Sequence, residues 1–298
     1  VRAVVTDSCS IYKGSRFSGY DFLSTALVQG FSVGETFDSQ VMLAAGYTNE
    51  EGSFYPAEGE HLGGVEIGSL MTDTNKCVVV SHVTAHPVLG MTGALYNMGM
   101  GFLTGSGKLR VHECLDIVHD EKKCDHCAVC VPFCPTGAFS GAKGDVTFDS
   151  RICNSCLGCL YTCPHGAVAV GDDGVREHQE SVVEAAHTAR AHMREAPFFI
   201  NFLSSVTPQT DEYPYSDVPF IPDMGILASD DPAAVDLATY RMICQSPGLP
   251  GSVAQDLNAL EKGSDKLAAI TGRDPSRMIE YAEQMGLGAR DFQMLMSA

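Results

Sequence analysis

A chain of 298 residues, 45% of them apolar, is long enough to bury more than one core, and no apolar run approaches the eighteen or so residues of a membrane span. Nineteen Lys and Arg against 37 Asp and Glu leave a net charge of −18, which argues against nucleic acid and fits a basic docking partner or plain solubility. Twelve cysteines, eight of them clustered, point to a reducing, anaerobic cytoplasm. The first residue is Val1, which points to a start further upstream.

In chain order, residues 1–6 carry Val1, Ala3, Val4 and Val5, a short strand stopped by Asp7. Phe22, Leu23, Ala26 and Leu27 share one face of a helix predicted over 20–29, with Gly30 placed to cap it. Residues 41–45 are apolar throughout, as in a strand buried on both faces. A helix is predicted over 62–70 and a strand over 77–80, an alternation that implies βαβ units. That strand runs into His82 and His86, and sites in open α/β sheets gather at the carboxyl ends of strands. Gly90, Gly93, Gly99, Gly101, Gly105 and Gly107 follow and imply close backbone approaches. They lack both a Gly-Lys-Ser/Thr ending and a clean Gly-x-Gly-x-x-Gly, the marks of a nucleotide loop.

The densest signal comes next. Cys124-x-x-Cys127-x-x-Cys130-x-x-x-Cys134-Pro135 recurs 29 residues on as Cys153-x-x-Cys156-x-x-Cys159-x-x-x-Cys163-Pro164. Three thiolates two residues apart can converge on three iron corners of one cubane, while the fourth reaches the other cluster, as in bacterial two-cluster ferredoxins. That reading assigns Cys124, Cys127, Cys130 and Cys163 to one [4Fe–4S] cluster, and Cys153, Cys156, Cys159 and Cys134 to a second. Structural zinc normally takes two Cys-x2-Cys pairs, which leaves the third thiol surplus. A disulfide framework suits a short secreted chain. Cys9, Cys77, Cys114 and Cys244 are scattered, as buried small apolar residues are.

Residues 146–148 and Val168–Val170 read as small strands, closed by a turn over 171–174. A helix over 177–194 stops at Pro197, a strand over Phe198–Leu203 follows, and Asp231-Pro232 and Asp274-Pro275 open further helices. The α/β pattern therefore resumes after the cysteines. The predicted fold is an α/β domain of βαβ units in two parts, 1–118 and 175–298, with a two-cluster bacterial-type ferredoxin module (α+β) inserted over 119–174. Short connections at both ends are expected to hold the module rigidly against the larger domain.

Between Arg194 and Arg241 there is no Lys or Arg, yet eight carboxylates. A polar pocket is drawn from His82 and His86 with some of Asp217, Asp223, Asp231 and Asp236, giving nitrogen and oxygen ligands for a divalent metal or a polar cofactor. Asp231 is also placed to cap its own helix.

Ser81-His82 through His86, Gly93-Ala94-Leu95, Asn97-Met98-Gly99-Met100-Gly101, Tyr12-x-Gly14-x-Arg16, Gly107-Lys108 with His112, Asp217-x-Pro219-x-x-x-Asp223-x-Gly225 and Ser229-x-Asp231-Pro232-x-Ala234-x-Asp236 carry a resemblance. In these motifs, and in their order over nearly the whole chain, the sequence resembles the iron–sulfur branch of the family filed as domain of unknown function 362. The resemblance implies a longer N-terminus, this fold and these clusters, but no single reaction. Where that family usually has lysines, this chain has Thr84-Ala85 and Tyr96, so no role of those lysines carries over.

The expected function is electron transfer, with two clusters passing single electrons to or from a redox protein partner, a basic one on charge grounds. Two alternatives stay open: an oxidoreductase whose α/β domain binds a small molecule reduced through the clusters, and an assembly or docking subunit of a larger redox complex.

Overall fold

The computed structural model describes residues 3–31 and 39–295. The chain divides into two compact units. Val1–Ala57, Leu62–Thr74 and Met100–Val175 form the first, and Glu58–His61, Asn75–Gly99 and Arg176–Ala298 the second. The cysteine stretch thus shares its unit with N-terminal residues, where the sequence boundaries separated them. Among the described residues, no helix is long and apolar enough to cross a membrane.

In the first unit, the helix Gly19–Val28 starts where Ser18 and Asp21 form a capping box. It ends at Gly30, whose φ of +90° lets its N–H reach the Leu27 carbonyl at 3.1 Å. The strand Val4–Asp7 pairs in parallel with Gln40–Leu43. Among the described residues only these two strands make that sheet, so Gln40–Leu43 alternates between exposed and half-buried residues and is not buried on both faces as predicted. The helix predicted over 62–70 is instead the strand Val65–Gly68, antiparallel to Gly52–Tyr55, followed by the short helix Ser69–Asp73. Val65 and Ile67 are both buried, and their spacing of two is the period of a strand.

In the second unit, Phe198–Leu203 is the centre of a three-stranded sheet, parallel to Val78–His82 and antiparallel to Gly225–Ser229. Helices and sheets are therefore mixed with parallel pairing, as an α/β chain requires. The helix Val175–His192 buries Val182, Ala186 and Ala189. The helix Pro232–Gln245 starts at Asp231, whose side chain accepts the Ala234 N–H at 2.8 Å.

One buried carboxylate ties this unit together. Asp236 accepts the N–H groups of Ala94 and Leu95 at 2.8 and 2.9 Å and the Asn201 amide at 2.8 Å. It thereby satisfies the open N-terminus of the helix Ala94–Met100 and pins it to the central strand. Gly93 is small for this reason, since a Cβ there would lie 2.5 Å from Asp236 Oδ1. Burial still pushes the Asp236 carboxyl up to about 6.

Candidate metal centre

The 29-residue repeat is written in the backbone as well as in the cysteines. His126 and Ala128 have φ of 54° and 64°, and Ser155 and Leu157, each 29 positions on, have 53° and 67°. Left-handed residues other than glycine are uncommon, so two matching pairs reflect one loop built twice. Such turns aim successive N–H groups into a concavity that suits anionic atoms. The strands repeat too. Ile117–His119 pairs with Val168–Val170, and Phe139–Ala142 with Asp145–Phe148, both antiparallel. His119 faces Val168 in one pair and Phe148 faces Phe139 in the other, so a shift of 29 residues turns one pair into the other.

Each strand pair takes one strand from each half, and the thiols are exchanged in the same way. Cys124, Cys127 and Cys130 line one cavity together with Cys163, His119 and Phe139. Cys134 lies close enough to Cys153, Cys156 and Cys159 for its charge to act on all three. The four thiols of the first site are half-buried, whereas Cys134, Cys156 and Cys159 of the second are buried.

Burial pushes the Cys130 and Cys156 thiols up to about 11, and Cys159 further still. Cys134 differs: burial raises it, but the Phe139 N–H at 3.5 Å and the Thr136 hydroxyl at 3.6 Å prevail and hold it below the usual thiol range. The Ser155 N–H reaches Cys153 Sγ at 3.4 Å. A cation bound among these thiols reverses the cost of burial by deprotonating them outright. All twelve cysteines are free of disulfides. One polar atom beside the first site supports the fit: the buried Nε2 of His119 has no hydrogen-bond partner. Soft thiolate donors in two fours suit iron–sulfur clusters, and the residues present fit that group.

Asp125, Cys127 and His165 bring ligand atoms within 4.8 Å of one another, with Asp125 Oδ2 and His165 Nε2 3.0 Å apart. This group shares Cys127 with the first site, so it belongs to the same centre. The spacing of the cysteines gave no sign of His119, Asp125 or His165. Residue-by-residue comparison of the two repeats would have found them.

The model of the family described as Domain of unknown function (DUF362) matches residues 2–241. The chain belongs to this family. A search of curated proteins found no match.

Two residues that carried the family resemblance, Tyr12 and His112, brace the second cysteine loop of this DUF362 chain. The Tyr12 ring meets Tyr161 edge-on at 5.5 Å, and the Lys13 N–H reaches the Phe133 carbonyl at 3.2 Å. His112 Nδ1 lies 3.0 Å from the Ser155 carbonyl, and the Ser155 hydroxyl donates to the Leu115 carbonyl at 2.6 Å. Gly158 lies so close to Tyr12 that a Cβ there would meet the Tyr12 Cβ at 2.7 Å.

In the second unit of the DUF362 chain, the histidines and carboxylates of the pocket drawn from sequence have separate attachments. His82 is exposed, with Nε2 2.9 Å from the Ser204 carbonyl and Nδ1 3.6 Å from Asp211, whose carboxylate raises its pKa. Asp223 accepts the Ser205 N–H at 2.7 Å, which puts it beside the same turn. His86 is buried and neutral, pushed down to about 4, and its Nδ1 accepts the Val88 and Leu89 N–H groups. Asp217 accepts the Val218 N–H, Asp231 caps its helix and accepts the Ala289 N–H, and Asp236 holds the knot described above. These contacts do not draw the six residues to one ligand position. An open cleft of about 330 Å³ lies elsewhere in this unit, lined by His187, Arg190, Phe199, Asp230 and Leu287 among others.

Proposed function

We propose that this chain is an iron–sulfur electron-transfer protein of the DUF362 family, carrying two [4Fe–4S] clusters in a ferredoxin-type module over residues 119–174. Cys124, Cys127, Cys130 and Cys163 hold one cluster, and Cys153, Cys156, Cys159 and Cys134 the other. The observation that carries this reading is the backbone repeat: two loops of the same left-handed geometry, 29 residues apart, each completed by a thiol from the other half. When bound, each cluster accepts or releases one electron. The chain's own part is to bury the sulfurs, exclude water and supply N–H and O–H donors, the levers that set a cluster potential.

The net charge of −18 suits a basic redox partner met by electrostatic steering, and the unprotected thiols suit a reducing cytoplasm. Protein purified without air should hold about eight irons per chain, two cubanes' worth, and show the EPR signals of reduced [4Fe–4S] centres. Stoichiometric zinc without iron overturns the proposal.

A second reading, an oxidoreductase that reduces a small substrate through the clusters, is favoured by the cleft at His187, Arg190 and Asp230. Among the described residues these three side chains have no ion-pair partner, and the cleft offers both charges to a ligand. Turnover by the isolated chain, lost in Arg190→Ala with iron retained, would select this reading over a simple carrier.

A further inference from the structure

The two cysteine sites share their spacing but not their surroundings, and the difference centres on one histidine. His119 ends the strand Ile117–His119, and its side chain is 5% exposed. The ring packs edge-on against Phe139 and Phe148, at 5.1 and 6.0 Å, and these two rings are themselves stacked on each other. Nδ1 lies 3.3 Å from Glu121 Oε1, while Nε2 is buried without a partner. A buried ring nitrogen left unpaired is unfavourable, so the fold gains when that nitrogen meets a partner. The cavity this ring lines is the one lined by Cys124, Cys127, Cys130 and Cys163.

The repeat makes the asymmetry plain. The residue 29 positions after His119 is Phe148, which has no donor. At the second site, Cys134 Sγ has the Thr136 hydroxyl beside it at 3.6 Å. The residue equivalent to Thr136 at the first site is His165, which pairs with Asp125 instead. His119 stands in the lining of the first site where that side-chain donor is lacking.

We propose that His119 is a positioning and tuning residue for the first site, donating from Nε2 to sulfur there and holding the potential of that cluster above the value the cysteines alone would give. A donor to sulfur stabilises the reduced, more negative cluster and so raises its potential. The inference rests on the two-cluster reading proposed above.

The test is an EPR-monitored redox titration of wild type, His119→Phe and His119→Gln, each prepared without air and assayed for iron. The expected result is unchanged iron in all three. One of the two potentials should fall in His119→Phe, fall less in His119→Gln, which keeps a donor, and leave the other potential where it was. Potentials that do not move, that fall together, or that fall as far with Gln as with Phe overturn the inference, as does loss of iron from either variant. Pulsed EPR of reduced wild-type protein labelled with 15N-histidine needs no variant. A weak nitrogen coupling, of the kind passed through a hydrogen bond to sulfur, is expected, and none, or the strong coupling of a directly bound nitrogen, overturns it. A wild-type protein without iron sinks the electron-transfer reading and this inference together, whereas iron with an insensitive potential sinks this inference alone.

Discussion

The two cysteine sites are built from one pattern and finished differently. The first is ringed by half-buried thiols, with an ion pair between Asp125 and His165 and the His119 ring in its lining. The second has three of its four thiols buried and is braced by Tyr12, His112 and Ser155, which belong to or touch segments from far upstream. Ligand spacing thus fixes which thiols meet, while the flanking chain decides how wet, how charged and how rigid each meeting place is. On the electron-transfer reading proposed above, the first site is the one that would exchange electrons with a partner at the surface, and the second the one that would hold them.

The largest effect expected is on iron. Cys134→Ala should remove the second cluster and Cys163→Ala the first, each leaving about four of eight irons under the crossed ligation of two-cluster ferredoxins. Iron analysis with EPR decides it, and a Cys134→Ala protein whose surviving signal is that of the second site breaks the assignment. Asp236→Ala serves as a control for selectivity. It strands three buried donors and should lower the stability of the second unit by about 3 kcal/mol or more, seen as a lower Tm, without altering the ratio of iron between the sites.

The same carboxylate sets a pH test. The folded pKa of Asp236 is near 6 against an ordinary 3.8, so between these values the folded state keeps a proton that the unfolded chain gives up. Stability therefore falls as pH rises from about 4 to about 6, by about 3 kcal/mol at 1.4 per unit. His86 acts in the opposite sense. Its folded pKa near 4 makes its contribution fully present above about 6.5 and lost as pH falls toward 4. Thermal melts of wild type and Asp236→Asn across pH 4–7 should diverge in slope, and parallel curves would refute the shift.

Smaller effects sharpen the contrast between the loops. Gly158→Ala should cost about 1–3 kcal/mol by overpacking against Tyr12, while Val129→Ala, the equivalent position in the first loop and 42% exposed, should stay within about 0.5 kcal/mol. Ser155→Ala removes the bond to the Leu115 carbonyl and should cost about 1 kcal/mol. Equal costs at positions 129 and 158, read from denaturant melts, would mean that the second loop is not braced as described.

The cysteine spacing was legible because a tight repeat of soft donors has few other uses. Helix ends were legible where they carried Gly30 or Asp231-Pro232, whose chemistry acts locally, whereas the Ser18 capping box was not read. The strand Val65–Gly68 was missed because a short apolar run gives helix and strand periods equal support until its partner, Gly52–Tyr55, is known. The attachments of His82, His86 and the aspartates were not legible for a related reason. A carboxylate far along the chain can be taken by any open N–H, and Asp236 is taken by a helix 140 residues before it. His119 was missed because the cysteine spacing does not single it out; it shows only when the two repeats are compared residue by residue and it falls opposite Phe148.

The exchange of the fourth thiol has a consequence for synthesis. Cys124, Cys127 and Cys130 leave the ribosome first, but the site they line is closed by Cys163, 33 residues later. At about 5–20 residues per second, that leaves an interval of about 2–7 s in which three thiols of the first site are made and the fourth is not. Neither half of the repeat can complete its own site, so a truncated or stalled chain offers any metal carrier an open set of three sulfurs, and delivery is rewarded only once both halves are present.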